Sequence, residues 1–454
     1  MSERDDSPVI EPPPVPPDAG RGPAVEAGSA EGAAPPASLP EATTPAGPSP
    51  KRRLLSLDAF RGFDIAAMLF VNMTWDRSVF HPQFFHVEWN EPAQGATFTD
   101  LVFPWFLFIM GCAIPLSVRS GRGKGKRWGG VMLAGLRRAL VLYLLGVMLT
   151  VASGASSTPL AWTDLLKWNI LQLIGVGYLV ALGVFLMPRW AQVGFVIAVL
   201  LGKWGLMTLV SWDWVSGLVA ARGPTGAPVG AGTWEHFDAI KRVLNLEHLE
   251  PGWTRWVGGW LGMSQQFLPC AAIAVLGGWA TEMLTGPGRA WARVCSVLGF
   301  GAALTGAAYA LQWGYDPAGG GLLGQFTVPF SKWFFSPAYC LLSAGTGVLL
   351  LVAFYLVIDA WKLTTALVLR VWGLNAIVLY VGAELSFKTI FSKWLISHPG
   401  GEGQTDSLAG GFIAWVTQWT GSAAVGGWAF VLTWLAGWWW VCWWMYRRQL
   451  FVRV

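Results

Sequence analysis

The residues of this 454-residue chain best suited to chemistry lie in a short polar hairpin between two apolar runs. The stretch from Phe70 to Gly111 reads FVNMTWDRSVFHPQFFHVEWNEPAQGATFTDLVFPWFLFIMG and holds His81, His86, Glu88 and Asn90. An unperturbed imidazole titrates near pH 6.5, so it can take up and release a proton at ordinary pH. Placed at a membrane boundary by two flanking helices, it suits acid–base work. His86 is the first candidate for a general base; on physics alone, a histidine that caps a helix or bonds a carbonyl is favoured. His81 precedes Pro82 in a turn and reads as peripheral. Asn72, at the end of the first apolar run, either bonds a neighbouring helix or donates to a developing oxyanion, and position alone leaves both open. Asp100 opens the second run, where a carboxylate complements the positive end of a helix dipole.

Three charges interrupt the first run. Asp58, Arg61 and Asp64 are spaced i, i+3, i+6, so Arg61 can meet either carboxylate on one helix face. They form a structural ion-pair network or, with Arg61 free to reach outward, a contact for a phosphate. Between 211 and 261 lie Glu235, His236, Glu247, His248 and Glu250, without a third ligand at metal spacing; an amphipathic loop is expected there, and no metal site. Glu384 and Lys388 follow the ninth apolar run and are expected to help close that end. The five cysteines (Cys112, Cys270, Cys295, Cys340, Cys442) fall in apolar runs and read as small buried hydrophobes. Walker A, GxSxG and HExxH patterns are absent, and no nucleic-acid signature stands out.

The elements that must position these residues are helical and apolar. Hydrophobic residues make up 54% of the chain and charged residues 13%, about half the charge of an ordinary soluble domain. The apolar residues cluster in runs near the ~20 needed to cross a bilayer. The expected fold is all-α, a polytopic transmembrane bundle of about ten spans: 55–74, 98–118, 130–151, 166–187, 190–210, 262–283, 291–312, 336–358, 365–384 and 425–446. Residues 1–50, rich in Pro, Ala, Gly and Glu, read as a disordered cytoplasmic tail without a signal peptide, and 51–454 as the transmembrane domain. Lys51–Arg53, the loop Arg119–Arg127, Arg189, Arg289 with Arg293, Lys362 and the tail Arg447–Arg453 fall on one side of an even count. By the positive-inside rule that side is cytoplasmic, with both termini there. Loops near 75–97, 211–261, 313–335 and 385–424 then face the other compartment. Residues 385–397 read as interfacial, and the 30 Trp partly as interfacial belts. The halves show no repeat of the transporter kind.

SLDAFRGFDIAAMLFVN (56–72), HVEWN (86–90) and FTDLVFPWFLFIMG (98–111) resemble the core of the heparan-α-glucosaminide N-acetyltransferase family and its bacterial relatives. ILQLIGVGY (170–178), WGLNAIVLYVGAE (372–384) and YRRQLFVRV (446–454) extend the resemblance, with Leu173 where the family motif commonly has Arg. The resemblance implies a multi-span acyltransferase of the inner membrane that takes acetyl-CoA from the cytosol. It would pass the acetyl group to an amino sugar or other glycan on the far side, with a homodimer as an available state. It places the family's catalytic histidine on His86 and its active-site asparagine on Asn72. Arg61, with Asp58 and Asp100, and the loop 119–127 are the candidates to receive the cofactor. A non-enzymatic transporter or flippase for a glycan or lipid-linked precursor is the alternative, and it accounts for the bundle and the charges of the first run equally well.

Overall fold

A computed structural model describes residues 54–88, 95–125, 127–154, 168–219, 234–249, 252–315, 326–362, 367–397 and 405–452. The expected tail over 1–50, Lys51–Arg53, Asn90 and Glu250 lie outside the described residues. The described chain is an all-α polytopic bundle of fourteen helices. They are α1 (Leu55–Asn72), α2 (Phe98–Arg122), α3 (Trp128–Ala152), α4 (Ile170–Phe185), α5 (Arg189–Thr208), α6 (Trp212–Val219) and α7 (Trp234–Leu244). There follow α8 (Trp253–Thr285), α9 (Ala290–Gln312), α10 (Pro337–Phe354), α11 (Leu367–Leu374), α12 (Ala376–Ser386), α13 (Leu408–Thr420) and α14 (Ala423–Arg447). Two short antiparallel strands, β1 (Leu395–Ser397) and β2 (Thr405–Ser407), pair Leu395 with Ser407 and Ser397 with Thr405.

Seven of the ten expected spans are helices long and apolar enough to cross a membrane: α2, α3, α5, α8, α9, α10 and α14. The remaining three depart from a plain span, each for a local reason. The region expected as 365–384 is two helices meeting at 75°, because the first stops at Leu374 and the second starts at Ala376. α1 carries Asp58, Arg61 and Asp64, and α4 is only 16 residues long. Residues 385–397 are no separate helix: α12 runs on as a π-helical turn over Phe387–Phe391 and ends in β1.

Lipid removes the water-driven reason for helices to associate, so close backbone approach has to do that work. α2 and α8 form the enclosed centre, and α1 crosses α11 where Gly62 faces the carbonyl of Leu369 and Gly373 faces that of Asp58. α3 and α5 turn Leu133, Leu136, Leu140, Leu144, Ile197 and Leu201 outward, as a lipid-facing surface requires. Exposed Trp128, Trp190, Trp253 and Trp291 stand at helix starts, where an indole suits the headgroup layer. Four cysteines are buried. Cys295 is exposed, contrary to expectation, because α9 buries little of its surface.

Basic residues at the end of α2 and the start of α5 meet at the end of α8. Glu282, near the end of α8, lies 3.0 Å from Arg189 at the start of α5 and 3.9 Å from Arg119 near the end of α2. The α1–α11 crossing yields a prediction. Gly373→Ala forces a methyl group into the Asp58 carbonyl, and overpacking of this kind costs on the order of 1–3 kcal/mol. Thermal unfolding in one detergent should show it melting early, while Gly299→Ala, whose Cβ meets nothing within 4 Å, melts with the parent. Equal melting of both would refute the crossing.

Candidate active site

The start of α2 is the organising point. A helix begins with N–H groups that have no intrahelical acceptor, and here side chains supply the acceptors. Thr97 is the N-cap: its Oγ accepts from the Asp100 backbone N–H at 3.4 Å, while Asp100 Oδ2 accepts from the Thr97 N–H at 3.2 Å. This is a capping box with Asp in the third position. Gln83 Oε1 accepts the Phe98 N–H at 3.0 Å, and Thr99 donates to the Gln83 carbonyl at 3.2 Å. Thr97 Oγ also lies 2.7 Å from the Phe85 carbonyl, and Thr74 Oγ lies 3.0 Å from that of Phe84. The segment 82–88 is thus stitched to α2 on one side and to the end of α1 on the other.

That stitching delivers His86 to Asp100. His86 Nδ1 stands 2.8 Å from Asp100 Oδ1, and the Val87 N–H donates to Asp100 Oδ2 at 3.3 Å. The Asp100 side chain is 4% exposed and that of His86 44%, so the carboxylate is enclosed while the ring opens to the surface. A carboxylate only accepts, so the ring proton sits on Nδ1 and Nε2 keeps its lone pair. This is the geometry of a base oriented by a buried acid. The Tyr339 hydroxyl at the start of α10 donates to the Asp100 carbonyl and holds the same turn from the other side.

A third group joins them. Lys332 Nζ lies 3.2 Å from each ring nitrogen of His86. Burial pulls its amine down to about 8, against the opposing pull of the Asp100 carboxylate. Trp333, the next residue, donates its indole N–H to the Val87 carbonyl at 3.3 Å. Nothing in the sequence signals this approach, because Lys332 and His86 are 246 residues apart and share no motif.

Asn72 ends α1 with an exposed side chain, and its amide donates to Glu384 Oε1 at 2.7 Å. Glu384 Oε2 is in turn 3.0 Å from Lys388 Nζ, one turn along. Glu384 is the partner that the spacing of the first hairpin cannot reveal; its only sequence signal is a carboxylate closing an apolar run. Arg61 and Asp58 are placed elsewhere: they pair at 3.6 Å toward the start of α1, where the Ser56 N–H donates to Asp359 at 3.1 Å. Eleven residues separate Arg61 from Asn72 on α1, about 16 Å of helix. Asp100, grouped with them by sequence, instead belongs beside His86. Arg61 does not reach Asp64, which is fully buried with neither carboxylate oxygen hydrogen-bonded. His81 caps the turn at 82–84, accepting the Gln83 N–H on Nδ1 at 3.2 Å. Glu88 is engaged by Arg77 at 2.6 Å. His236, in the first turn of α7, is enclosed, and burial lowers its pKa. Among the described residues no three His, Cys, Asp or Glu side chains cluster as metal ligands.

Residues 53–223 match the family model described as heparan-alpha-glucosaminide N-acetyltransferase, catalytic. This stretch carries the family resemblance. The mouse heparan-alpha-glucosaminide N-acetyltransferase is 37% identical over 136 residues, 29% of this chain and 19% of the mouse protein. The human protein of the same name is 36% identical over 132 residues, 28% of this chain and 18% of its own length. The match therefore spans about a fifth of those relatives. Asn72, His86 and Asp100 fall within the matched residues, and Lys332 and Glu384 beyond them.

The Lys332 environment can be read directly. Amine-selective labelling quantified by mass spectrometry should give Lys332 a half-maximal rate near pH 8, charged below and reactive above. An ordinary exposed lysine gives its midpoint at ~10.4. A Lys332 midpoint near 10.4 would contradict the burial that places it against His86.

Proposed function

We propose that this protein is a membrane acyltransferase that moves an acetyl group from acetyl-CoA to an amine or hydroxyl of an amino sugar or glycan. The observation that carries the reading is the His86–Asp100 pair, set at the start of α2 inside the region similar to the acetyltransferase family. Nε2 of His86 takes the proton as the acceptor nitrogen or oxygen attacks the thioester carbon. The C–S bond breaks as the new C–N or C–O bond forms, and the imidazolium returns its proton to the departing thiolate. In this reading the Lys332 ammonium and the Asn72 amide donate to the negative charge that develops on the thioester oxygen. Glu384 orients that amide, and Lys388 holds Glu384 in turn. The donor comes from the cytosol and the acceptor meets the hairpin on the opposite face of an inner membrane, with both termini on the cytoplasmic side. Arg61 is kept as a contact for the donor's phosphates, and the site uses no metal.

The test is CoA release by purified protein with acetyl-CoA and a panel of amino sugars. His86→Ala should lose about 10²–10⁴ in rate, and Lys332→Met about 10²–10³, with His81→Ala unchanged. Because Lys332 is charged only below about 8, the wild-type rate should fall as pH rises through that value, and Lys332→Arg should carry the plateau further into alkali. Unchanged turnover in His86→Ala would remove the assignment. The break of 75° between α11 and α12 is the observation that suits transport, since broken helices line many transporter sites. Substrate uptake into vesicles without any acyl donor, together with no CoA release, would favour that reading.

A further inference from the structure

A cavity of about 190 Å³ lies where the last turns of α2, the first turns of α3 and the middle of α4 meet. Its polar lining is Ser117, Ser120, Lys124, Arg138 and Tyr178, over a floor that includes Leu182. The donors there are unspent. Arg138 makes one long contact, 3.4 Å from its Nη1 to the Tyr178 hydroxyl, and Lys124, Ser117 and Ser120 bond no protein side chain among the described residues. No carboxylate lines the space. The acid near this end, Glu282, is taken by Arg189 and Arg119. The start of α3 adds the positive end of a helix dipole, which offsets the negative end of α2.

We infer that this cavity is a binding site for a phosphate group. Two cations, two serine hydroxyls and a phenol converge on one small space, and guanidinium with ammonium and hydroxyl donors is the set that phosphate oxygens satisfy. A phosphate can accept from both cations and the hydroxyls at once, which a neutral or apolar ligand cannot do. The site is distinct from His86. Asp100 and Ser120 are twenty residues apart on α2, about 30 Å of helix, so the cavity sits at the end of α2 that carries Arg119. Two sources can present a phosphate there: the headgroup of an anionic phospholipid in that leaflet, or the phosphates of a soluble CoA donor. Only the second rests on the acyltransferase reading.

The experiment uses the full chain, delipidated in neutral detergent. Binding of inorganic pyrophosphate and of CoA is followed by calorimetry, and retention of phosphatidylglycerol over phosphatidylcholine by native mass spectrometry from mixed nanodiscs. Each removed cation should weaken binding about tenfold, so the pair Lys124→Gln with Arg138→Gln is compared with the parent. The pair Ser117→Ala with Ser120→Ala repeats the test should the charge variants fail to fold. Loss of pyrophosphate and CoA binding with lipid retention intact assigns a donor phosphate. Loss of phosphatidylglycerol retention with CoA binding intact assigns a headgroup. Binding of none of the three probes, or binding unchanged in both variant pairs, overturns the site. Failure of the acyltransferase reading looks different, as absent CoA release while phosphate or lipid binding persists.

Discussion

The structure depends on one buried carboxylate. Asp100 accepts the Thr97 N–H that starts α2, the Val87 N–H of the hairpin and the Nδ1–H of His86, all while 3% exposed. An enclosed carboxylate is costly unless such donors surround it, and the positive end of the helix dipole favours the charge at the same place. The group that satisfies the helix start is therefore the group that aims the imidazole. Capping of this helix and orientation of the ring share one group, because removing the carboxylate would leave the Thr97 N–H and the His86 Nδ1–H without their acceptor.

The candidate site then grows by contacts distant in sequence. The turn before α10 brings Lys332 to the ring and the Trp333 indole to the Val87 carbonyl, and the Tyr339 hydroxyl grips the Asp100 carbonyl. α12 brings Glu384 to Asn72. The ring is half-exposed, while the acid that bonds it stays enclosed. The matched region supplies Asn72, His86 and Asp100, and the rest of the chain supplies the cations and the second carboxylate.

Much of this was legible in the residues. Apolar runs near 20 residues announced the bundle, and the seven clear spans lie where those runs fall. The exceptions are places where length and composition mislead. A break between Leu374 and Ala376 turns one run into two helices, and a run that passes for an extra element at 385–397 is a π-helical continuation with a strand. The hairpin marked His86 and Asn72, because an imidazole and an amide at a membrane boundary are rare enough to notice. Asp100 was visible as a helix-start residue yet its contact with His86 was not, since a cap that also holds a histidine ring presents the same sequence signature. Lys332 was invisible for a different reason: only the packing of α10 against α2 carries it to His86. Arg61 and Asp58 were read from sequence at the far end of α1 from the hairpin, and they pair there.

The central claim is that Asp100 fixes the proton of His86 on Nδ1 and leaves Nε2 unprotonated. With only five histidines in the chain, ¹⁵N NMR of ring nitrogens in detergent can assign each by single substitution. At a pH where the rings are neutral, His86 should be the Nδ1–H form. His81, whose Nδ1 accepts the Gln83 N–H, should be the opposite Nε2–H form and so provides an internal reference. Asp100→Asn should disturb the His86 signals and leave those of His81 in place. An Nε2–H ring at His86 in the unsubstituted protein would contradict the account, because the nitrogen meant to take the proton would already carry one.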